Sequence, residues 1–133
     1  MFLQVMNMEE KEKFLELVYK IANVDGEYAE EEQEIIDSYK NELEINELHD
    51  TCDIDGLISY FSGKETRLKK IVLFEIIGLV YADDRIVKEE KDILNKITAT
   101  FGMSDEIIEN IKITAKKLQD VYDDVYRVLF DWN

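Results

Sequence analysis

A chain of 133 residues with 31 acidic and 16 basic side chains carries a net charge of −15, which repels nucleic acid and anionic membranes and leaves metal cations or basic protein surfaces as partners. Hydrophobic residues at 46% exclude a disordered chain, while the absence of proline and the presence of only five glycines favour an all-α fold in a single domain. The lone Cys52 excludes an internal disulfide framework and fits a reducing, cytoplasmic location.

Residues 9–24 are expected to form an amphipathic helix with Phe14, Leu15, Val18, Ile21 and Ala22 on one face, ended by Gly26. Residues 30–43 form the next, with Ile35, Ile36, Tyr39 and Leu43 inward, and Asn46 reads as the N-cap of a short third helix. Residues 52–66 connect two halves; Asp53, Gly56, Ser62 and Gly63 break regularity around a short packed helix containing Leu57, Ile58, Tyr60 and Phe61.

Residues 67–82 are apolar nearly all round, which predicts the central and most buried helix, with Gly78 admitting a close helical neighbour. The longest apolar stretch within it, Ile71 to Ala82, is 12 residues, includes Glu75, and is too short to span a bilayer. The opening Met1–Met6 is apolar without a basic leader and reads as neither signal peptide nor anchor. Residues 88–101 form a further helix closed by Gly102, and Ser104 caps one of about 105–118. Val121, Tyr122, Val125, Leu129 and Trp132 then mark a separate last helix, read as docked on the body rather than presented to a partner. The expected architecture is a bundle of about seven helices spanning 1–133.

An internal echo at an offset of 58 residues organises this pattern. Phe14, Leu15, Val18, Tyr19, Ile35, Ile36, Tyr39, Leu43 and Ile45 return as Val72, Leu73, Ile76, Ile77, Ile93, Leu94, Ile97, Phe101 and Met103. The units, about 10–48 and 68–106, each read as helix–acidic loop–helix, related by a pseudo-twofold.

The acidic loops have a local explanation, since acids are favoured at helix starts. Three details go beyond it. At 100° per residue, Glu32 falls at about 60° on a face centred near about 55°, and Glu90 falls in the same place in its own helix. The hydroxyl that would complete a capping box is replaced by Ala29 in one unit and Val87 in the other. Asp25 and Asp83 follow helix C-termini, where a negative charge is disfavoured unless a cation offsets it.

The candidate metal ligands are therefore Asp25, Glu32, Asp83 and Glu90, with Asp84 adjacent. An all-oxygen set selects a hard divalent cation, Ca²⁺, Mg²⁺ or Mn²⁺. No EF-hand is present: the twelfth position is Ile36 counted from Asp25, Leu94 from Asp83, and Lys64 from Asp53.

The segment Asp25-Gly26-Glu27-Tyr28-Ala29-Glu30-Glu31-Glu32 and its copy Asp83-Asp84-Arg85-Ile86-Val87-Lys88-Glu89-Glu90 resemble the acidic signature of the TerB-like family, named for tellurite-resistance proteins. The turns Leu43–Glu47 and Phe101–Asp105 are similar to that family's second turn, and the resemblance covers roughly residues 10–118. It implies an all-helical two-unit fold and a clustered acidic site that binds metal, mapped here onto Asp25, Glu32, Asp83 and Glu90. Asp84 and Arg85 depart from the family's glycine and acid, which would weaken the second loop or pair it internally.

Catalysis has little support: His49 and Cys52 are three apart but lack an oxyanion-donating loop. The leading expectation is a non-enzymatic, cytoplasmic metal-binding module in a stress response. The alternative is an interaction or scaffold module that uses its acidic surface or its aromatic end (Tyr122, Tyr126, Phe130, Trp132) to hold a basic protein or a second copy.

Overall fold

A computed structural model describes residues 2–24, 30–80 and 88–130, apart from the side chains of Glu31 and Glu32. Among the described residues the chain is all-α: a 3-10 turn (Leu3–Val5), then α1 (Met8–Ala22), α2 (Glu30–Leu43), α3 (Ile54–Ser62), α4 (Thr66–Val80), α5 (Lys88–Phe101) and α6 (Asp105–Phe130). No helix among them is long and apolar enough to cross a membrane.

Local chemistry sets the boundaries. Asn7 and Glu10 form a reciprocal capping box at the start of α1, at 2.8 and 2.9 Å. Asp53 accepts from the Gly56 amide at 2.7 Å, so the calcium-like Asp53–Gly56 stretch is the N-cap of α3. Ser104 caps α6 through the Ile107 amide, and Lys69 donates to the Phe101 carbonyl at the C-terminus of α5.

The echo extends to the helix limits. Both ends of α4 lie 58 residues beyond those of α1, and both ends of α5 lie 58 beyond those of α2. The residues that follow α2 and α5, Glu44 and Gly102, have φ of 58° and 66°. Ile45 N–H donates to the Lys40 carbonyl and Glu44 N–H to the Asn41 carbonyl, a Schellman closure. Glycine takes this conformation freely and glutamate does not. Glu44→Gly is therefore expected to raise the unfolding free energy by about 1 kcal/mol, read as a higher urea midpoint at unchanged slope.

One apolar cluster runs from Leu3 to Phe101 and includes Phe14, Leu15, Leu17, Val18, Ile36, Leu57, Phe61, Val72, Leu73, Ile76, Leu94 and Ile97. The central position predicted for α4 is shared with α1, which packs on α2, α3, α4 and α5 and buries every residue from Phe14 to Val18. The one-sided reading of α1 is corrected accordingly.

Three further expectations are corrected. Residues 45–53 are not helical, so Asn46 caps nothing; the amides of Thr51 and Cys52 are taken by the Glu16 side chain instead of by carbonyls four residues back. The two helices expected at 105–118 and 121–132 are one helix, giving six α-helices among the described residues in place of seven. Leu118-Gln119-Asp120-Val121 contains no breaker, and a Lys116–Asp120 ion pair at 3.2 Å bridges the expected gap.

Finally, the end of that helix is not docked: every described residue from Asp120 to Phe130 is exposed. Twenty-six helical residues extend about 39 Å, whereas the 15 of α4 extend about 22 Å, so an unbroken α6 outruns the helix it packs on. Trp132 lies outside the described residues.

Candidate functional site

The predicted metal ligands fall mostly where the structure gives no account. Asp25, Asp83 and Asp84 lie outside the described residues, as does the side chain of Glu32. Glu90 is described: it is half-buried in the first turn of α5 and has an interaction partner. Among the described residues, no group of three or more His, Cys, Asp or Glu side chains is placed to hold a metal ion.

Two acids not singled out as ligands are buried. Glu16 on α1 is 2% exposed. Its Oε1 accepts from the Thr51 amide, from the Cys52 amide at 2.7 Å and from the Thr51 hydroxyl at 3.4 Å. It thereby pins the non-helical segment 45–53 to α1. Lys20 reinforces this through Asp50, and Lys13 Nζ donates to Cys52 Sγ at 3.1 Å. His49 is exposed on this segment and Cys52 is half-buried.

Glu75 on α4 is the second. Its Oε2 accepts from the Tyr39 hydroxyl at 3.0 Å. Burial, then the Glu75 charge, then this hydrogen bond hold the Tyr39 phenol far above its ordinary range. Tyr39 also meets Phe14 edge to face, with centroids 5.4 Å apart. Glu75 had a sequence signal, as the one charge in the Ile71–Ala82 stretch. Glu16 had none, because it resembles its neighbours Glu9, Glu10 and Glu12.

The Tyr39–Glu75 pair lines an open cleft of about 620 Å³ between α2, α4 and α6. Its walls are largely apolar, with Ile35 from α2, Phe74, Ile77 and Leu79 from α4, and Ala115, Leu118 and Tyr122 from α6, and Glu42, Lys112 and Lys116 add charge. Gly78 was expected to admit a neighbouring helix, but it is exposed in this cleft and a methyl group there would meet nothing within 4 Å.

From the end of the cleft at Tyr122, α6 continues outward, and Val121, Tyr122, Val125, Tyr126, Val128, Leu129 and Phe130 are exposed along it. Tyr126 and Phe130 touch one turn apart, with centroids at 5.2 Å. The site described is thus a largely apolar surface that contains the part-buried Tyr39–Glu75 pair and is edged by Glu42, Lys112 and Lys116, suited to holding an apolar side chain or helix.

No family model, curated protein or solved structure matches this chain. The reading of its surface rests on the geometry above.

Proposed function

We propose that this chain is a protein-interaction module whose contact surface is the cleft between α2, α4 and α6 together with the exposed half of α6. One observation carries the reading: seven large apolar side chains between Val121 and Phe130 are each 44–71% exposed, and their helix leads into an apolar cleft. Apolar surface concentrated in this way marks a place where another molecule sits. The module is read as non-catalytic and cytoplasmic. The lone Cys52 leaves no internal disulfide to form, which fits a reducing compartment.

In-cell photocrosslinking tests the proposal. With a benzophenone amino acid replacing Tyr126 in the full chain, irradiation is expected to give adducts heavier than the chain. The same replacement at Glu109, exposed on the first half of α6, should give none. No adduct from position 126 would remove the interaction reading.

A second reading has its own support. The matched limits of α2 and α5 make Glu32 and Glu90 equivalent, each the third residue of its helix, a position that a capping-box glutamate also takes. In this reading a pseudo-twofold brings Asp25, Glu32, Asp83, Asp84 and Glu90 around Ca²⁺, Mg²⁺ or Mn²⁺ in a metal or oxyanion stress response. Millimolar cation should then raise the melting temperature by several degrees, and Asp25→Asn with Glu32→Gln should abolish the rise. Equal melting with and without all three cations would dispose of it.

A further inference from the structure

We propose that the cleft is the open state of a closing helix pair: α6 slides sideways across α4 until its flank meets α2, shutting the cleft without a ligand. This goes beyond the interaction reading, which stands or falls on the crosslink at position 126.

The two walls match each other. From α2 the cleft is lined by Ile35, Ser38, Tyr39 and Glu42, and from α6 by Lys112, Ala115, Lys116 and Gln119. Each set is spaced three, one and three residues apart, so each is a single helical stripe. A small residue, Ser38 or Ala115, stands near the middle of each and lets the two axes approach closely.

Charge is arranged across the cleft in the same way. Glu42 and Glu75 stand on the α2 and α4 side, Lys112 and Lys116 on the α6 side. Lys112 makes no ion pair among the described residues, and Lys116 meets exposed Asp120 at 3.2 Å, a surface contact that is cheap to give up. Closing brings these opposite charges together and takes the apolar walls out of water.

The anchoring of α6 permits the movement. It packs chiefly on α4 and has no fully buried residue; its core contacts are the half-buried Ile108, Ile111 and Ala115. By contrast α4 buries seven residues. An element with so few buried contacts is among the first to shift. On the α4 floor a methyl group at Gly78 would meet nothing within 4 Å, so the path toward α2 is clear there. The turn at Gly102 and Met103, just before the Ser104 cap, supplies the pivot. Small sliding steps of packed helices are an ordinary form of closure.

The test is Ser38→Cys with Ala115→Cys in the full chain carrying Cys52→Ser, equilibrated in a glutathione redox buffer. A disulfide needs Cα atoms about 4.4–6.8 Å apart, a separation reached when the two stripes meet. An internal crosslink that keeps the mass of one chain is expected. Ser38→Cys with Ile113→Cys should give none, because Ile113 is exposed on the far side of α6. Ser38→Cys with Gln119→Cys reads the same closing without substituting a core-facing residue. Adding Lys112→Glu with Lys116→Glu sets like charges on both walls and should lower the crosslinked-to-open ratio by about fivefold or more, and Glu42→Lys should recover part of it. The proposal is overturned by no internal crosslink from either cleft pair, by one no more frequent than in the Ile113 control, or by a ratio indifferent to the charge reversals. Crosslinking from position 126 does not require closing, so failure here leaves the interaction reading in place.

Discussion

Glu16→Ala is expected to lower the unfolding free energy by about 3–5 kcal/mol, a large part of the stability of a domain this size. The carboxylate is buried, and one of its oxygens serves two consecutive backbone amides, those of Thr51 and Cys52. Hydrogen bonds to a charged acceptor contribute about 1.5–3 kcal/mol each, and alanine removes that acceptor from both donors. Glu16→Gln retains an acceptor oxygen without the charge and should cost only about 1–2 kcal/mol. Urea denaturation measures both. Equal losses for the two variants would mean that the negative charge, and neither packing nor a neutral acceptor oxygen, gives Glu16 its effect. The loss should be accompanied by faster thiol labelling of Cys52 and faster hydrogen exchange at Thr51, because segment 45–53 is held to α1 through this side chain and its lysine neighbours.

The second large effect lies in the cleft. Tyr39→Phe removes the hydroxyl from which Glu75 accepts and retains the ring that meets Phe14, so the variant isolates the polar contact. The expected cost is about 1–3 kcal/mol near neutral pH. The pair also predicts a pH dependence with a definite sign. Burial and the Glu75 charge raise the Tyr39 pKa in the fold above the ordinary value of 10.0, so folding favours the protonated phenol. That contribution is fully present below about pH 10 and declines as pH rises above it, where the unfolded chain can ionise and the folded one resists. Urea midpoints measured across this range should fall more steeply for the parent chain than for Tyr39→Phe. Parallel curves would exclude Tyr39 as the group responsible.

The helix limits that recur at an offset of 58 residues were legible because their signals are local. Apolar spacing in residues 14–22 and 72–80 follows the helical period, and the closures at Leu43–Ile45 and Phe101–Met103 use short backbone geometry, so both survive reading at an offset of 58. Local signals also produced the errors. The turn at Glu44 and the polar Asn46 look like a helix end and a new start, but the amides that follow are captured by Glu16 from another helix. On the wheel Glu16 lies opposite the Phe14–Val18–Ile21 stripe, where periodicity predicts solvent; the segment 45–53 covers it.

Residues 105–130 show the same division. Their apolar stripe was plain in the sequence, but the stripe is equally consistent with docking on the parent body and with exposure for another molecule. Length decided it: with nothing to break α6 near Asp120, the helix continues past the end of α4 and carries the stripe off the core.

By itself the sequence determined an all-helical chain, the helices over residues 30–43 and 88–101, and the ends at Gly102 and Ser104, because propensity, periodicity and caps act within a few residues of one another. Only tertiary structure decided that Glu16 and Glu75 are buried with donors 35 and 36 residues distant, and that half of the last helix is left exposed. Those outcomes depend on which helix crosses which and on how far each extends, and no local pattern encodes a neighbour that the chain brings from elsewhere.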